Sequence, residues 1–154
     1  MSETNNGRIF TCSVQHMLPI TKGSVKPYTV GHGRAMPDDD RLDGWQRAVA
    51  LTANAVMRAE GLKPYDCPLM ESIVFRMPRP KKPMFEVPAT KTAKARGGGD
   101  LDKLVRAVND GLQEGGVMVE DSRIYGFNTV LKLYADREHP IGATIALTPM
   151  TGEE

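Results

Sequence analysis

The chain has 154 residues, 40% of them hydrophobic and 25% charged, with a formal net charge of +1. Such a length suits one domain able to bury about 70% of its extended surface, and the balanced charge excludes both a wholly disordered chain and a histone-like basic protein. Four Phe, four Tyr and one Trp are too few to suggest a base-stacking platform for single strands.

No stretch approaches the roughly 18 consecutive apolar residues of a membrane span. The polar start, Met1–Gly7, does not read as a secretory leader, and Cys12 and Cys67 form neither a CxxC pair nor a ligand cluster. These features imply a soluble cytoplasmic domain over residues 8–150, without a membrane partner. Residues 1–7 and 151–154 read as flexible ends.

Arg8–Gln15 has strand character, carried by Ile9, Phe10, Thr11 and Val14. A turn-like stretch through Gly23 follows, then an extended piece around Tyr28–Val30. Asp38, Asp39 and Asp40 suit a helix start, where carboxylates meet the positive end of the macrodipole. Leu42, Trp45, Val49, Ala53 and Val56 recur at helical spacing, predicting an amphipathic helix that runs to about Glu60 and is closed by Gly61. Pro64 and Pro68 mark a loop, and Glu71–Met77 reads as a second strand.

Residues 76–99 form a basic, Pro/Gly-rich loop. Arg76, Arg79, Lys81, Lys82, Lys91, Lys94 and Arg96 face one acid, Glu86, for a local charge of +6; the remaining chain therefore carries −5. Pro78, Pro80, Pro83, Pro88 and the Gly97-Gly98-Gly99 run oppose regular structure. A cationic loop of this kind attracts polyanions through counterion release, although a plain solvated loop has the same composition.

After the glycines, Leu101, Leu104, Val105, Val108 and Leu112 predict a second amphipathic helix ending near Gly115-Gly116. Val117–Val119 reads as a short strand, and Ile124–Tyr134 and Ile141–Thr148 as longer ones. The order β, α, β, loop, α, β, β, β implies an α/β (α+β-like) single domain: a mixed sheet with two main helices.

Chemistry is expected at Gly99-Asp100-Leu101-Asp102. Asp100 and Asp102 converge only if Asp100 is still extended while Asp102 occupies the first helical turn, a geometry that the glycines permit. Capping and dipole stabilisation account for the same two acids without any function. After the Gly-Gly reversal the chain is expected to return along the helix, placing Asp121 opposite Asp100 and Asp102. Three converging carboxylates repel unless a divalent cation joins them, and oxygen-only ligands favour Mg²⁺ or Mn²⁺. Beside a +6 loop, such a site suggests phosphodiester hydrolysis, with Arg106 as a cation for the scissile phosphate or, alternatively, as a surface partner of Asp102.

The segment Gly99-Asp100-Leu101-Asp102-Lys103-Leu104-Val105-Arg106-Ala107-Val108-Asn109-Asp110-Gly111-Leu112, followed by Val119-Glu120-Asp121-Ser122-Arg123-Ile124, resembles the RusA family of Holliday-junction resolvases, small nucleases of bacteria and their prophages. Lys22-Gly23-Ser24-Val25-Lys26-Pro27 looks like that family's N-terminal basic turn. The resemblance implies a metal site of Asp100, Asp102 and Asp121, and a homodimer that makes paired symmetric nicks in four-way junction DNA. Arg106 stands where the family usually has a functional lysine, keeping the charge without the readily exchanged proton. Lys103 replaces a commoner Asn and sets an ammonium beside the carboxylates. DNA contacts are expected from Lys22, Lys26, Arg79, Lys81, Lys82, Lys91, Lys94, Arg96 and Lys103. Two rivals are a catalytically silent DNA-binding dimer and a small-molecule phosphohydrolase.

Overall fold

Alternation of apolar and polar residues builds the sheet. In the computed structural model, which describes residues 4–22, 39–90 and 99–150, the strands are β1 (Phe10–Gln15), β2 (Leu69–Met77), β3 (Ile124–Tyr134) and β4 (Gly142–Pro149). The two helices are α1 (Asp39–Ala59) and α2 (Leu101–Glu114). Together they make one α+β domain around a four-stranded mixed sheet of order β1-β4-β2-β3. β4 is antiparallel to both β1 and β2, whereas β2 and β3 are parallel and joined through α2.

Period-2 burial sends Phe10, Cys12 and Val14 of β1, Ile73, Phe75 and Met77 of β2, and Ile145 and Leu147 of β4 into one core. Trp45, Val49 and Ala53 of α1 and Leu104, Val108 and Leu112 of α2 close it from the helical side. The opposite sheet face is open: polar at Thr11, Ser13, Thr144 and Thr148, and apolar at Tyr125, Phe127 and Leu131 of the edge strand β3. Burial of Cys12 pushes its thiol up to about 12, and neither cysteine is in a disulfide.

The helices approach closely because glycines face α1 at Gly111 of α2 and at its cap, Gly115. A side chain at Gly115 would begin 2.6 Å from the Ala50 carbonyl oxygen, a distance no real contact tolerates. That carbonyl-to-glycine packing fixes how α2, and everything mounted on it, sits over the sheet.

Three expectations need correction or placement. Val117–Val119 is not a strand; it contributes only an isolated parallel bridge, Tyr65 with Met118. Of the expected loop, Arg76 and Met77 belong to β2, and residues 78–90 form no regular element. The extended piece at Tyr28–Val30 and the loop residues Lys91, Lys94 and Arg96 lie outside the described residues, as does Lys26. Among the described residues no helix is long and apolar enough to cross a membrane.

Candidate functional site

The start of α2 is shaped by one glycine. Gly99 has φ +126°, and a Cβ there would lie 2.7 Å from Thr21 Cγ2, so both backbone and space exclude a side chain. Asp100 then holds the extended N-cap conformation (φ −74°, ψ 135°), and Asp102 falls in the first turn. The backbone carbonyl of Asp100 accepts from the amides of Lys103 and Leu104, both at 3.1 Å, yet its carboxylate makes no capping hydrogen bond. Its ion-pair partner is Lys103, 3.6 Å away. Asp102 is exposed and forms no salt bridge with Arg106, which is also exposed. Asp100 is therefore the N-cap by position but not through its side chain, Asp102 is the first-turn acid that the dipole favours, and the surface pair of Arg106 with Asp102 is not formed. Two carboxylates are left facing solvent at the positive end of a helix.

Cations gather at the same end. Lys132 projects from β3, and its ammonium donates to the Gly99 carbonyl at 2.5 Å; burial lowers its pKa, while the Asp100 charge acts the other way. Beyond β2 the chain continues through Pro78–Lys82, with the Arg79 guanidinium 5.9 Å from the centre of the Tyr134 ring. A cleft of about 790 Å³ opens between this segment and the loop after β3, and its lining includes His16, Arg79, Asp136 and Arg137. A neighbouring hollow of about 690 Å³ is walled by Pro78, Arg79, Pro80, Lys81 and Lys82. Lys22 is committed differently from expectation: its ammonium pairs with Asp110, and its amide donates to the Lys103 carbonyl at 3.1 Å.

Asp121 is elsewhere. Its amide donates to Gln113 Oε1 at 3.0 Å, in the last turn of α2, about 16 Å of helical rise beyond Asp102. The expected return along the helix does not occur. Instead Val117 and Val119 bond to Tyr65, the Tyr65 amide to the Val117 carbonyl (2.7 Å) and the Val119 amide to the Tyr65 carbonyl (3.0 Å). This tie holds the segment near the start of β2, and β3 departs from there. Among the described residues no three His, Cys, Asp or Glu side chains come close enough together to hold a metal ion. The neighbouring Glu120 is occupied by Arg123 at 3.0 Å, which also binds Asp66 at 2.8 Å.

The structure also shows two ionisable residues that the sequence reading passed over. Lys132 is one. The other is Glu71, fully buried in β2 beside the Asn109 carboxamide. Burial pushes its carboxyl up to about 7; the nearby Asn109 carboxamide opposes that rise and the charge of Asp121 adds to it. Both residues could have been found from alternation, because Glu71 is in phase with Ile73 and Phe75, and Lys132 with Val130 and Tyr134.

Two solvent-facing carboxylates thus stand at the start of α2, with Lys103 and Lys132 close by. The chain belongs to the RusA endodeoxyribonuclease family, whose model matches residues 19–146. It is thereby a nuclease of the Holliday-junction-resolving kind, in a family that depends on divalent metal. No curated protein matches the chain closely enough to add to that assignment.

Proposed function

We propose that this protein is a divalent-metal-dependent, structure-specific endonuclease of the cytoplasm that resolves four-way DNA junctions as a homodimer, nicking two opposed strands. The observation that carries this reading is the pair Asp100 and Asp102, uncapped and exposed at the same end of the fold as the Pro78–Lys82 cationic rim. Their donor chemistry fits a hard cation such as Mg²⁺ or Mn²⁺, and Asp100 and Asp102 would hold it. The bound ion would supply an activated water and screening for the charge that builds on the phosphate.

The remaining roles belong to the chain. Arg106 and Lys103 offer fixed positive charge to the scissile phosphate. Lys132 anchors the Gly99 carbonyl and so holds the turn that aims Asp100. Arg79, Lys81 and Lys82, with Lys26, Lys91, Lys94 and Arg96, engage the DNA backbone away from the cut. A two-fold dimer would match the approximate two-fold symmetry of a four-way junction and so place two sites on opposed strands.

The separation of Asp121 from the pair favours one second reading, a DNA-binding dimer without cleavage. Incubating the purified chain with a synthetic four-way junction and a linear duplex of the same sequence, in Mg²⁺ or EDTA, separates the two. Paired nicks on the junction alone, only with metal, support the nuclease; metal-independent binding without nicking supports the silent module.

A further inference from the structure

Large apolar side chains left singly in water are ordinary on a protein surface, whereas a run of them on a loop is not. Between β2 and α2 three such residues stand within four positions: Met84 is 75% exposed, Phe85 51% and Val87 42%. None belongs to the core, so packing does not account for them. Counterion release does not account for them either, because Arg79, Lys81 and Lys82 just before the run already supply it. Glu86 stands among the apolar residues and not among the lysines, so the tip itself has no attraction for phosphate.

The tip is mounted on the candidate site from both sides. Before it, the Arg79 guanidinium packs on the Tyr134 ring of β3, 5.9 Å from its centre. After it, Pro88 is buried, the Ala89 amide donates to the Val87 carbonyl at 2.8 Å, and the Gly99 amide donates to the Thr90 carbonyl at 3.4 Å. Gly99 is the residue whose carbonyl Lys132 holds and which Asp100 follows. Pro78, Pro80, Pro83 and Pro88 fix φ along the run, so little freedom is lost when it seats on a ligand. A continuous duplex hides its base faces in the stack, whereas a branch point interrupts the stack and offers those faces. We propose that Met84 and Phe85 are a wedge that enters the branch point of a four-way junction and covers the base faces there, while Lys81 and Lys82 hold the flanking phosphates. Met and Phe are side chains of the kind that part base steps, and an aromatic face stacks on any base. A wedge needs one ring where a stacking platform needs several, so it agrees with the scarcity of aromatic residues. The inference rests on the junction-resolving reading and adds to it what tells a junction from a plain duplex.

The test uses the full chain in EDTA, with a four-way junction carrying 2-aminopurine at the branch point or within an arm, and a linear duplex of the same sequence. The parent protein is expected to change the emission of the branch-point probe and to leave the arm probe unaltered. Met84→Ser/Phe85→Ser should abolish that change and weaken junction binding about tenfold or more, the worth of one lost aromatic stack. Duplex binding, which depends on the untouched lysines, should stay as it was. Phe85→Trp should keep both the signal and the affinity. Because the replaced residues are exposed, the melting temperature should not fall. The proposal is overturned by an unaltered branch-point signal or junction affinity in the double variant, or by equal loss on junction and duplex. A change of oligomeric state, which would make the tip a contact between copies, overturns it as well. Nicking in Mg²⁺ is scored separately. A parent that shows the branch-point signal without cutting sinks the nuclease assignment alone; a parent that nicks while the variant keeps its preference for junctions sinks only the wedge.

Discussion

The two ends of α2 treat acidic residues in opposite ways. At its start Asp100 and Asp102 stand in water, uncapped, with Lys103 and Lys132 close by. Near its other end Glu71 is sealed in the core, and burial pushes it up to about 7. An exposed pair can exchange ligands and meet a large substrate, whereas a buried carboxyl can do neither. Chemistry on DNA is therefore expected at the first end and a structural role at the second.

The sharpest way to break that division is at the exposed end. Asp100→Asn or Asp102→Asn should lower junction nicking by at least about 100-fold, more than outer-sphere partners of a metal usually contribute, while mobility-shift binding persists. Nicking that survives either change removes the pair from the reaction. Next in size, replacing Lys81, Lys82, Lys91 and Lys94 together with alanine should weaken junction binding and reduce the slope of log affinity against log salt by up to about 0.9 per lost phosphate contact. An unchanged slope would take that loop off the DNA.

Gly115→Val tests whether the start of α2 depends on packing at its other end. The added side chain meets the Ala50 carbonyl, and overpacking of this kind costs about 1–3 kcal/mol. Melting temperature should fall and nicking should decline with it; full nicking in a destabilised variant would show that the start of α2 is mounted independently of this packing.

The smallest effect is read at the buried end. Unfolded Glu71 ionises near the ordinary value of 4.5, whereas the folded carboxyl keeps its proton up to about 7. Its contribution is therefore full below pH 4.5, declines as pH rises through 4.5–7, and is gone above, a span on the order of 3 kcal/mol at most. Glu71→Gln should flatten that decline in urea-melt stability against pH. A variant with the same slope as the parent would mean that Glu71 ionises without strain.

Much of the fold could be read from spacing, because α2 and β3 have periods that only one structure satisfies. The Leu101–Leu112 stripe and the Gly115-Gly116 stop bound a helix found at Leu101–Glu114, and Ile124–Tyr134 is a strand over that same range. The site was harder. The backbone of Asp100 and Asp102, extended and then first-turn, has the expected form because local sequence alone decides it. Asp121 was not, because its position depends on Val117 and Val119 bonding to Tyr65, over fifty residues away in the chain. A reversal signalled by glycines says that the chain turns, and says nothing about which partner then captures it. Glu71 gives no signal in β propensity, where a charged first residue looks like a strand end.

β4 is the last of the described strands but lies inside the sheet, between β1 and β2. During synthesis β1 therefore emerges with no strand to pair with and β2 can pair only with β3, and the sheet is completed only after Gly142–Pro149 leaves the ribosome. Assembly thus waits for that segment and is dominated by distant pairings that form slowly. Until then the apolar flanks of both strands are open to mispairing, which makes the late-arriving segment the step most exposed to chaperones and to aggregation.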